Sequence, residues 1–490
     1  MTDSSKPRKD LAKSPRGFPD KREHLIHAEQ ELIRQVTGVY RRWGFEALDT
    51  GAFEFADSLG KFLPDADRPN EGVFALQDDD EAWLALRYDL TAPLARFAAE
   101  NWQTLPKPFR RYAAGPVWRN EKPGPGRFRE FLQCDADTVG AGGAHADAEI
   151  IAMAAEAMRA VGVTEGEFQI KVNTRRLLNS VLEQGGATSN AARLTILRAL
   201  DKLDRLGEAG VADLLGEGRM DESGDFTKGA GLGKTDVDRV LAFAGAGRAT
   251  REETIEALGQ AAGTGEEASA GLDELKGIQR ALEALSVPGS DVIFDPSIVR
   301  GLEYYTGSVF EAELLKETVD ERGATVSIGS VGGGGRYDDL VARFTGERIP
   351  ATGFSVGVSR LAAALSLTGG LKTLNGPVVV LNLEKGDPSV ALTLTSELRA
   401  AGLRAEMYMG SSGMRPQMKY ADRRGAPAVV IVGEDELAKG VVTIKDLKVG
   451  AAKAAAIQSN EEWRETRPGQ MEVARAEMVA TLREIIETDS

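Results

Sequence analysis

Residue types suited to binding an anion are concentrated around one turn, the segment Lys122-Pro-Gly-Pro-Gly126. Arg119 and Glu121 precede this turn. The residues that follow it at every second position are Arg127, Arg129, Phe131, Gln133, Asp135 and Asp137. An arginine guanidinium can hold two oxygens of a phosphate or carboxylate at once. The pattern predicts a binding site for an anionic ligand. On charge pattern alone, the alternative is a solvated sheet face with ion pairs.

A long β-hairpin must position these side chains. Tyr112–Trp118 is typical of a strand, the Pro/Gly segment is typical of a turn, and the residues up to Gly140 alternate between apolar and polar. Side chains alternate between the two faces of a strand. Gln133, Asp135 and Asp137 are therefore predicted to share one face.

A second polar pair, Asp89 and Thr91, lies where a predicted strand from Leu84 enters a helix at Pro93. A carboxylate and a hydroxyl provide acceptors for the donors of an ammonium group. The alternative is a plain helix cap, which requires no ligand.

A glycine run, Gly332–Gly335, stands between a predicted strand and a predicted helix. Taken alone, it predicts a tight turn. The stretch Ala351–Leu361 predicts another strand that runs into a helix, with Arg360 at the junction. A helix N-terminus with an arginine is suited to binding a polyphosphate.

These motifs resemble the histidyl-tRNA synthetase family of class II aminoacyl-tRNA synthetases. Arg119-Asn-Glu121 and Gly126–Gln133, with the loop between them, resemble motif 2 in its histidyl form. Ile298–Glu311, which contains Arg300-Gly301 and Tyr304-Tyr305, resembles the histidine-specific signature.

Other segments agree with this resemblance, with some departures. Ala351–Leu361 resembles motif 3, although Ser359 stands where an acidic residue is common. The proline of motif 1 is missing near Thr50, and Glu303 stands where many members have Asp. Asp137 stands where the family often has Glu, and Asp is also found in similar members.

The resemblance implies an enzyme, a histidine–tRNA ligase. Such an enzyme activates L-histidine with ATP to histidyl-adenylate and transfers the histidyl group to the 3′ end of tRNA-His. Mg²⁺ on the phosphate oxygens is expected, but the sequence does not identify the metal ligands. A homodimer in the cytoplasm is also implied.

The resemblance also assigns roles to individual residues. The predicted catalytic residues are Arg119 and Arg300. The predicted ATP-binding residues are Arg119, Glu121, Arg300 and Arg360. The predicted histidine-binding residues are Asp89, Thr91, Gln133, Asp137, Tyr304 and Tyr305. The predicted tRNA-binding residues, on the weakest pattern, are Arg415, Lys419, Arg423 and Arg424.

The implied fold class is α+β. It combines a class II catalytic domain with a mostly antiparallel sheet, a helical insertion, and a C-terminal α/β anticodon-binding domain. We predict a disordered lead-in at 1–15, catalytic parts at 16–180 and 291–370, and the insertion at 181–290. The α/β domain is predicted at 376–490, where strands and helices alternate and a helix over Gln470–Ile486 closes the chain.

Composition agrees with this interpretation. The 490 residues predict more than one core. The single cysteine, Cys134, excludes an intrachain disulfide and favours the cytosol. No apolar run is long enough for a membrane span. The net charge of −15 argues against a general nucleic-acid coat protein but leaves room for a local RNA-binding patch.

Two other functions remain possible at this point. One is a regulatory, histidine-sensing relative that binds but does not catalyse, although Arg119, Arg300 and Arg360 are all present. The other is a synthetase for another amino acid, such as proline, threonine or glycine, which Tyr304-Tyr305 disfavours.

Overall fold

The computed structural model describes residues 12–62, 72–124, 127–184, 190–220, 224–299, 304–319, 325–368, 370, 374–383, 387–449 and 469–488. Arg300 and Glu303 lie outside these residues, as does most of the predicted lead-in. The chain forms two compact units, Met1–Leu371 and Lys372–Ser490. Inside the first unit, the predicted boundaries near 180 and 290 stay predictions.

The first unit contains both strands and helices. Its strands are β1 (Glu46–Ala47), β2 (Phe53–Phe55), β3 (Ala75–Gln77), β4 (Trp83–Leu86), β5 (Phe109–Trp118), β6 (Glu130–Val139), β7 (Phe168–Thr174), β8 (Gly218–Met220), β9 (Phe226–Lys228), β10 (Val292–Phe294), β11 (Ser308–Val319), β12 (Thr325–Arg336) and β13 (Ala351–Gly357). Its helices are α1 (Glu23–Arg42), α2 (Thr91–Asn101), α3 (Ala144–Ala160), α4 (Arg175–Gln184), α5 (Asn190–Leu200), α6 (Leu203–Leu215), α7 (Lys234–Ala244), α8 (Arg251–Ala261), α9 (Glu266–Ala284), α10 (Ala342–Thr345) and α11 (Val358–Leu367).

One large sheet organises the first unit, with the strand order β1-β5-β6-β13-β12-β11-β7-β10. The β1/β5 and β7/β10 pairs are parallel and the other pairs are antiparallel. This confirms the predicted mostly antiparallel sheet. Helices α1, α3 and α11 pack against the sheet. Strand β6 contributes Cys134 and Ala136 to the core between the sheet and these helices. The alternate residues of β6, Gln133, Asp135 and Asp137, therefore lie on the opposite face of the sheet.

The predicted hairpin is confirmed as the antiparallel pair of β5 and β6. Its register places Arg111 opposite Asp137 and Gly115 opposite Gln133. On its other edge β6 pairs with β13, where Gly353 lies opposite Asp137 and Ser355 lies opposite Asp135. The polar face of β6 is therefore flanked by β5 on one side and by β13 on the other.

The turn predicted at Gly332–Gly335 is wrong, because these glycines lie inside β12. They pair with β11 on one side and β13 on the other. A Cβ atom added at Gly334 would lie 2.0 Å from the carbonyl oxygen of Gly353. The glycine run therefore permits a close approach of backbones within the sheet.

The insertion region is mainly helical, as predicted, but it also contains strands. Strands β8 and β9 form a small antiparallel hairpin that the sequence interpretation missed. Thr250 begins α8 with a capping box, in which it accepts from the Glu253 backbone N–H and the Glu253 carboxylate accepts from the Thr250 N–H. Helix α9 then packs against α3 and α4.

The second unit is an α/β domain. Its strands are β14 (Val378–Val380), β15 (Ala405–Met407), β16 (Ala428–Ile431), β17 (Val441–Asp446) and β18 (Gln470–Ala474), and its helices are α12 (Ser389–Ala400), α13 (Met414–Arg423), α14 (Glu434–Lys439) and α15 (Met478–Thr488). The sheet order is β15-β14-β16-β17-β18. The helix predicted over Gln470–Ile486 is wrong in its first part, where β18 extends the sheet beside β17. Across the described residues, no helix has the length and apolar character needed to span a membrane.

Candidate active site

A cavity of about 520 Å³ lies in the first unit, over the polar face of β6 and β13. It is lined by all of the predicted histidine- and ATP-binding residues that the structure describes, namely Asp89, Thr91, Arg119, Glu121, Gln133, Asp137, Tyr304, Tyr305 and Arg360. Arg300 lies outside the described residues, so its predicted role stays a prediction. The cavity has a carboxylate end, defined by Asp89, Asp135 and Asp137, and an arginine end, defined by Arg119, Arg127 and Arg360.

Asp137 is held at the carboxylate end by contacts with two side chains. Its Oδ2 lies 2.9 Å from Nη2 of Arg111, and its Oδ1 accepts a hydrogen bond from the hydroxyl of Tyr337. Arg111 is only 1% exposed and also donates to the carbonyl of Leu90 at 2.8 Å. Burial raises the pKa of Asp137, while Arg111 and Tyr337 oppose that rise. The ion pair thus stabilises a buried negative charge.

Asp89 stands at the start of α2, as the strand-to-helix prediction required. Its Oδ1 accepts from the backbone N–H groups of Thr91 and Ala92 at 3.1 and 2.9 Å. Its Oδ2 accepts from the Tyr304 hydroxyl at 3.3 Å. Burial raises the pKa of Asp89, and the Ala92 N–H and the Arg119 charge oppose this. The carboxylate both caps the helix and lines the cavity, so the two sequence interpretations are compatible.

Aromatic rings form a wall beside these acids. Tyr304 packs edge-on against Tyr305 and Tyr337, with ring centroids 4.9 and 5.9 Å apart. Both members of the Tyr304-Tyr305 pair line the cavity. They lie just before β11 and outside any strand, so they are not held on opposite faces of a sheet.

Gln133 and Asp135 share a serine neighbour. The Gln133 side chain donates through Nε2 to Oγ of Ser355 at 2.6 Å, and the Ser355 hydroxyl also bonds to the Asp135 carboxyl. Oε1 of Gln133 and Oδ1 of Asp135 are buried and have no hydrogen-bond partner. An unpaired buried acceptor costs about 1–3 kcal/mol. A ligand that donates to these atoms would recover that free energy.

The arginine end is more open. Arg119 follows β5, donates through Nε to the Tyr88 carbonyl at 3.2 Å, and lies 5.1 Å from the ring centroid of Phe131. Arg360 is exposed in the first turn of α11 and donates to the Ile328 carbonyl at 3.3 Å. Helix α11 begins directly after Gly357, which lies opposite Gln133. The arginine end therefore adjoins the Gln133 end of the β6 row, with Asp137 at the far end.

Comparisons with known proteins bear on the whole chain. The family model described as histidyl-tRNA synthetase matches residues 17–361. The chain belongs to the histidyl-tRNA synthetase family. A model described as an anticodon binding domain matches residues 377–485. The histidine–tRNA ligase of Caulobacter vibrioides is 60% identical over 491 residues, which cover 99% of each chain. The activity of the enzyme is accordingly histidine–tRNA ligation, with ATP as a substrate.

Solved structures agree on the fold. A histidyl-tRNA synthetase from Nostoc sp. PCC 7120 matches with a TM-score of 0.71 at 29% identity, over 96% of the enzyme and 99% of that chain. A Bacillus halodurans C protein, titled ATP phosphoribosyltransferase regulatory subunit/histidyl-tRNA synthetase, matches with a TM-score of 0.64 at 24% identity over 85% of the enzyme and 97% of that chain. At that identity it shows the fold alone. The sequence identity to ligases, rather than the fold, excludes the regulatory alternative and a synthetase for another amino acid.

Some residues of the site were not assigned from the sequence. They are Arg111, Asp135, Tyr337 and Ser355. The alternation of side chains along β6 already put Asp135 on the same face as Gln133 and Asp137, so the sequence could have identified Asp135 as a site residue. Tyr337 lies two residues after the glycine run Gly332–Gly335, which the sequence predicted to be a turn. Nothing local marked Arg111 or Ser355, because their roles depend on strand register.

The predicted tRNA-binding cations lie in the second unit. Arg415, Lys419 and Arg423 are exposed on α13. Arg424 is also exposed, at the end of that helix, and pairs with Glu406 at 2.9 and 3.2 Å. Within the described residues, no group of three or more His, Cys, Asp or Glu side chains has the arrangement of a metal site.

Proposed function

We propose that this enzyme activates histidine in the cavity of the first unit, with the amino acid at the carboxylate end and ATP at the arginine end. The observation that carries the proposal is that one cavity is lined both by buried carboxylates on and beside β6 and by the arginines Arg119, Arg127 and Arg360. A histidine zwitterion presents cationic and donor groups that suit the acids, and its own carboxylate would then point toward Arg119. ATP brings phosphates that suit the guanidinium groups.

The α-ammonium group is assigned to Asp89, Thr91 and Gln133. An ammonium has three donors. These three residues line the cavity, and we assign the ammonium to Oδ2 of Asp89, the hydroxyl of Thr91 and Oε1 of Gln133. We assign one ring N–H of histidine to Asp137, beside the tyrosine wall of Tyr304 and Tyr305.

The arginines act on charge that develops during adenylate formation. The histidine carboxylate attacks the α-phosphate, so two anions must be brought together and the new charge neutralised. Arg119 is assigned to the α-phosphate and the attacking carboxylate, and Arg360 to the γ-phosphate. Arg300 is assigned to the reacting phosphate from the sequence signature alone.

Mg²⁺ is expected to accompany ATP. Glu121 and Glu311 both line the cavity, and nucleotide-bound Mg²⁺ usually takes one or two carboxylates together with phosphate oxygens. The residues present therefore fit such an ion, which would neutralise phosphate charge. Chelation of divalent ions should abolish activity. Full activity in excess chelator would contradict this assignment.

We also propose a homodimer. Strands β2, β4 and β3 form a three-stranded sheet in which Phe55, Leu84 and Leu76 lie in one row. Phe55 is 60% exposed and Leu76 is 45% exposed. Exposed apolar faces of this kind favour association. Sedimentation equilibrium should give a dimer that Phe55→Asp weakens, and a monomer at micromolar concentration would contradict the proposal.

The second unit is proposed to bind the anticodon arm of tRNA-His through Arg415, Lys419 and Arg423, with a smaller role for the paired Arg424. Phosphate contacts make RNA binding sensitive to salt. Loss of these cations should raise the KM for tRNA while amino acid activation is unchanged. A cytoplasmic location is expected, and cell fractionation would check it.

ATP–pyrophosphate exchange, measured with each of the twenty amino acids, tests the central proposal. Exchange should depend on histidine alone and should be lost in Arg300→Ala. Tight histidine binding without exchange would overturn the proposed activation step. Exchange with another amino acid would overturn the assignment of the carboxylate end.

A further inference from the structure

We infer that Glu29 is a positioning residue for the arginine end of the cavity, where it fixes the first turn of α11 and thereby the guanidinium group of Arg360. This inference rests on the proposed function, because it takes Arg360 as a contact for the γ-phosphate of ATP. Glu29 lies on α1 and is outside the cavity lining. It therefore acts through other residues and touches no substrate.

The contact between Glu29 and the first turn of α11 is direct. Oε1 of Glu29 accepts a hydrogen bond from the Ser359 hydroxyl at 2.5 Å. Both residues are buried, with exposed fractions of 2% and 4%. Ser359 lines the cavity and immediately precedes Arg360. Because a hydrogen bond to a carboxylate is stronger than one between neutral groups, Glu29 holds the serine, and with it the helix turn, in one orientation.

Ser359 also joins α11 to the strand that carries much of the cavity lining. The pairing of β6 with β13 ends at Gln133 and Gly357. The neighbouring amide of β6, the N–H of Leu132, donates to Oγ of Ser359 at 3.0 Å. The hydroxyl thus accepts from the sheet while it donates to Glu29. The first turn of α11 is held between β6 on one side and α1 on the other.

Lys21 balances the charge that Glu29 brings beneath α11. Its Nζ lies 2.8 Å from each carboxylate oxygen of Glu29. The chain just before Lys21 is itself attached to the β5–β6 hairpin, because the Gly17 carbonyl accepts from the Arg129 N–H at 2.9 Å. A buried carboxylate is tolerated when it has such a partner. The lysine therefore allows a charged acceptor to stand at this place in the core.

The backbone position matters for Arg360 because its side chain is exposed. Its guanidinium group donates to the Ile328 carbonyl at 3.3 Å, and a long exposed side chain has many rotamers. The reach of this side chain toward a phosphate is set by the helix turn that carries it. A misplacement of about 1 Å can cost about 10²-fold in rate, even when its origin lies far from the reacting atoms.

The first experiment compares Glu29→Gln with Glu31→Gln in ATP–pyrophosphate exchange. Glu31 lies on the same helix in an exposed ion pair with Arg34, so its variant controls for the loss of one carboxylate charge from α1. Glu29→Gln should raise the KM for ATP about 10-fold, with the KM for histidine unchanged. Glu31→Gln should change neither KM. A wild-type KM for ATP in folded Glu29→Gln would overturn the inference.

A second comparison separates positioning of Arg360 from a general loss of structure. If Glu29 acts through Arg360, then Glu29→Gln should have no further effect on the KM for ATP when Arg360→Met is already present. The same fold-change in both backgrounds would overturn the inference. Ser359→Ala removes the other partner of the hydrogen bond and should show the same dependence on Arg360, so it replaces Glu29→Gln if that variant folds poorly.

A failure of the proposed function gives a different result. If Arg360 does not contact ATP, Arg360→Met alone leaves the KM for ATP at the wild-type value, and both the assignment of Arg360 and the inference are overturned. If Arg360→Met raises this KM and Glu29→Gln does not, only the inference is overturned.

Wild-type enzyme without histidine-dependent exchange would overturn the proposed activation step. Calorimetric binding of ATP to wild type, Glu29→Gln and Arg360→Met would then decide the role of Glu29. Weaker binding in both variants would support it, and equal affinities of wild type and Glu29→Gln would overturn it.

Discussion

The two ends of the cavity differ in how their charged groups are held. At the carboxylate end, buried side chains of β5, β6 and β13 bond to one another, and Asp89 accepts from the backbone at the start of α2. At the arginine end, Arg127 and Arg360 are exposed, on the hairpin loop and at the start of α11. The difference shows that the carboxylate end is built into the sheet, whereas the arginine end lies on its margins.

The largest expected effect comes from the buried ion pair. Arg111→Met leaves Asp137 without its cation and should lower the free energy of unfolding of the first unit by about 3–5 kcal/mol. Arg360→Met, at the arginine end, should change it by no more than about 0.5 kcal/mol. Denaturant titration of both variants measures the contrast. Equal losses would show that the two ends are not held differently.

A smaller effect, on rate rather than stability, is expected at Arg119. Arg119→Ala should lower kcat for ATP–pyrophosphate exchange about 10²- to 10³-fold, because it removes donors aimed at developing charge. The midpoint of thermal unfolding should change little. Arg119→Lys keeps the charge but not the planar fork, so it should recover only part of the rate. A change confined to the KM for histidine would show that the assignment of Arg119 to the reacting phosphate is wrong.

A third effect, expected at the carboxylate end, is a dependence of the free energy of unfolding on pH. The pKa of Asp135 is raised to about 8 in the folded enzyme, first by burial and then by Asp137, whereas an unfolded aspartate titrates at about 3.9. Between these values the folded state holds a proton that the unfolded state has released. The free energy of unfolding therefore falls as the pH rises toward 8, by up to about 1.4 kcal/mol per pH unit.

Asp135→Asn should remove this slope. Unfolding of wild type and variant at pH 5.5, 7 and 8 measures the difference between them, which cancels the contributions of other groups. Parallel curves would mean that Asp135 is ionised in the folded enzyme across this range. That result would also weaken the distinction between the two ends.

Much of this arrangement could be predicted from local sequence. The β5–β6 hairpin follows from a Pro/Gly turn between alternating segments, and the place of Asp89 follows from a strand that enters a helix. These features depend on neighbours within a few residues. Their side chains also carried the resemblance to the family.

The rest depends on long-range register. Tyr337 and Asp137 are 200 residues apart, and Ser355 and Gln133 are 222 apart. The glycine run in β12 has the composition of a turn, and only its pairing with β11 and β13 makes it a strand. The same holds for β18, whose residues could continue a helix until they pair with β17.

The single strand β6 carries Gln133, Asp135 and Asp137, and this has a consequence for translational fidelity. A slip of one residue in its pairing would turn all three toward the core and bring Cys134, Ala136 and Thr138 to the cavity. Such a molecule would lose the polar groups of the carboxylate end and would not gain groups that bind another amino acid. Molecules with the shifted register would therefore be inactive, and they would not charge tRNA with the wrong amino acid.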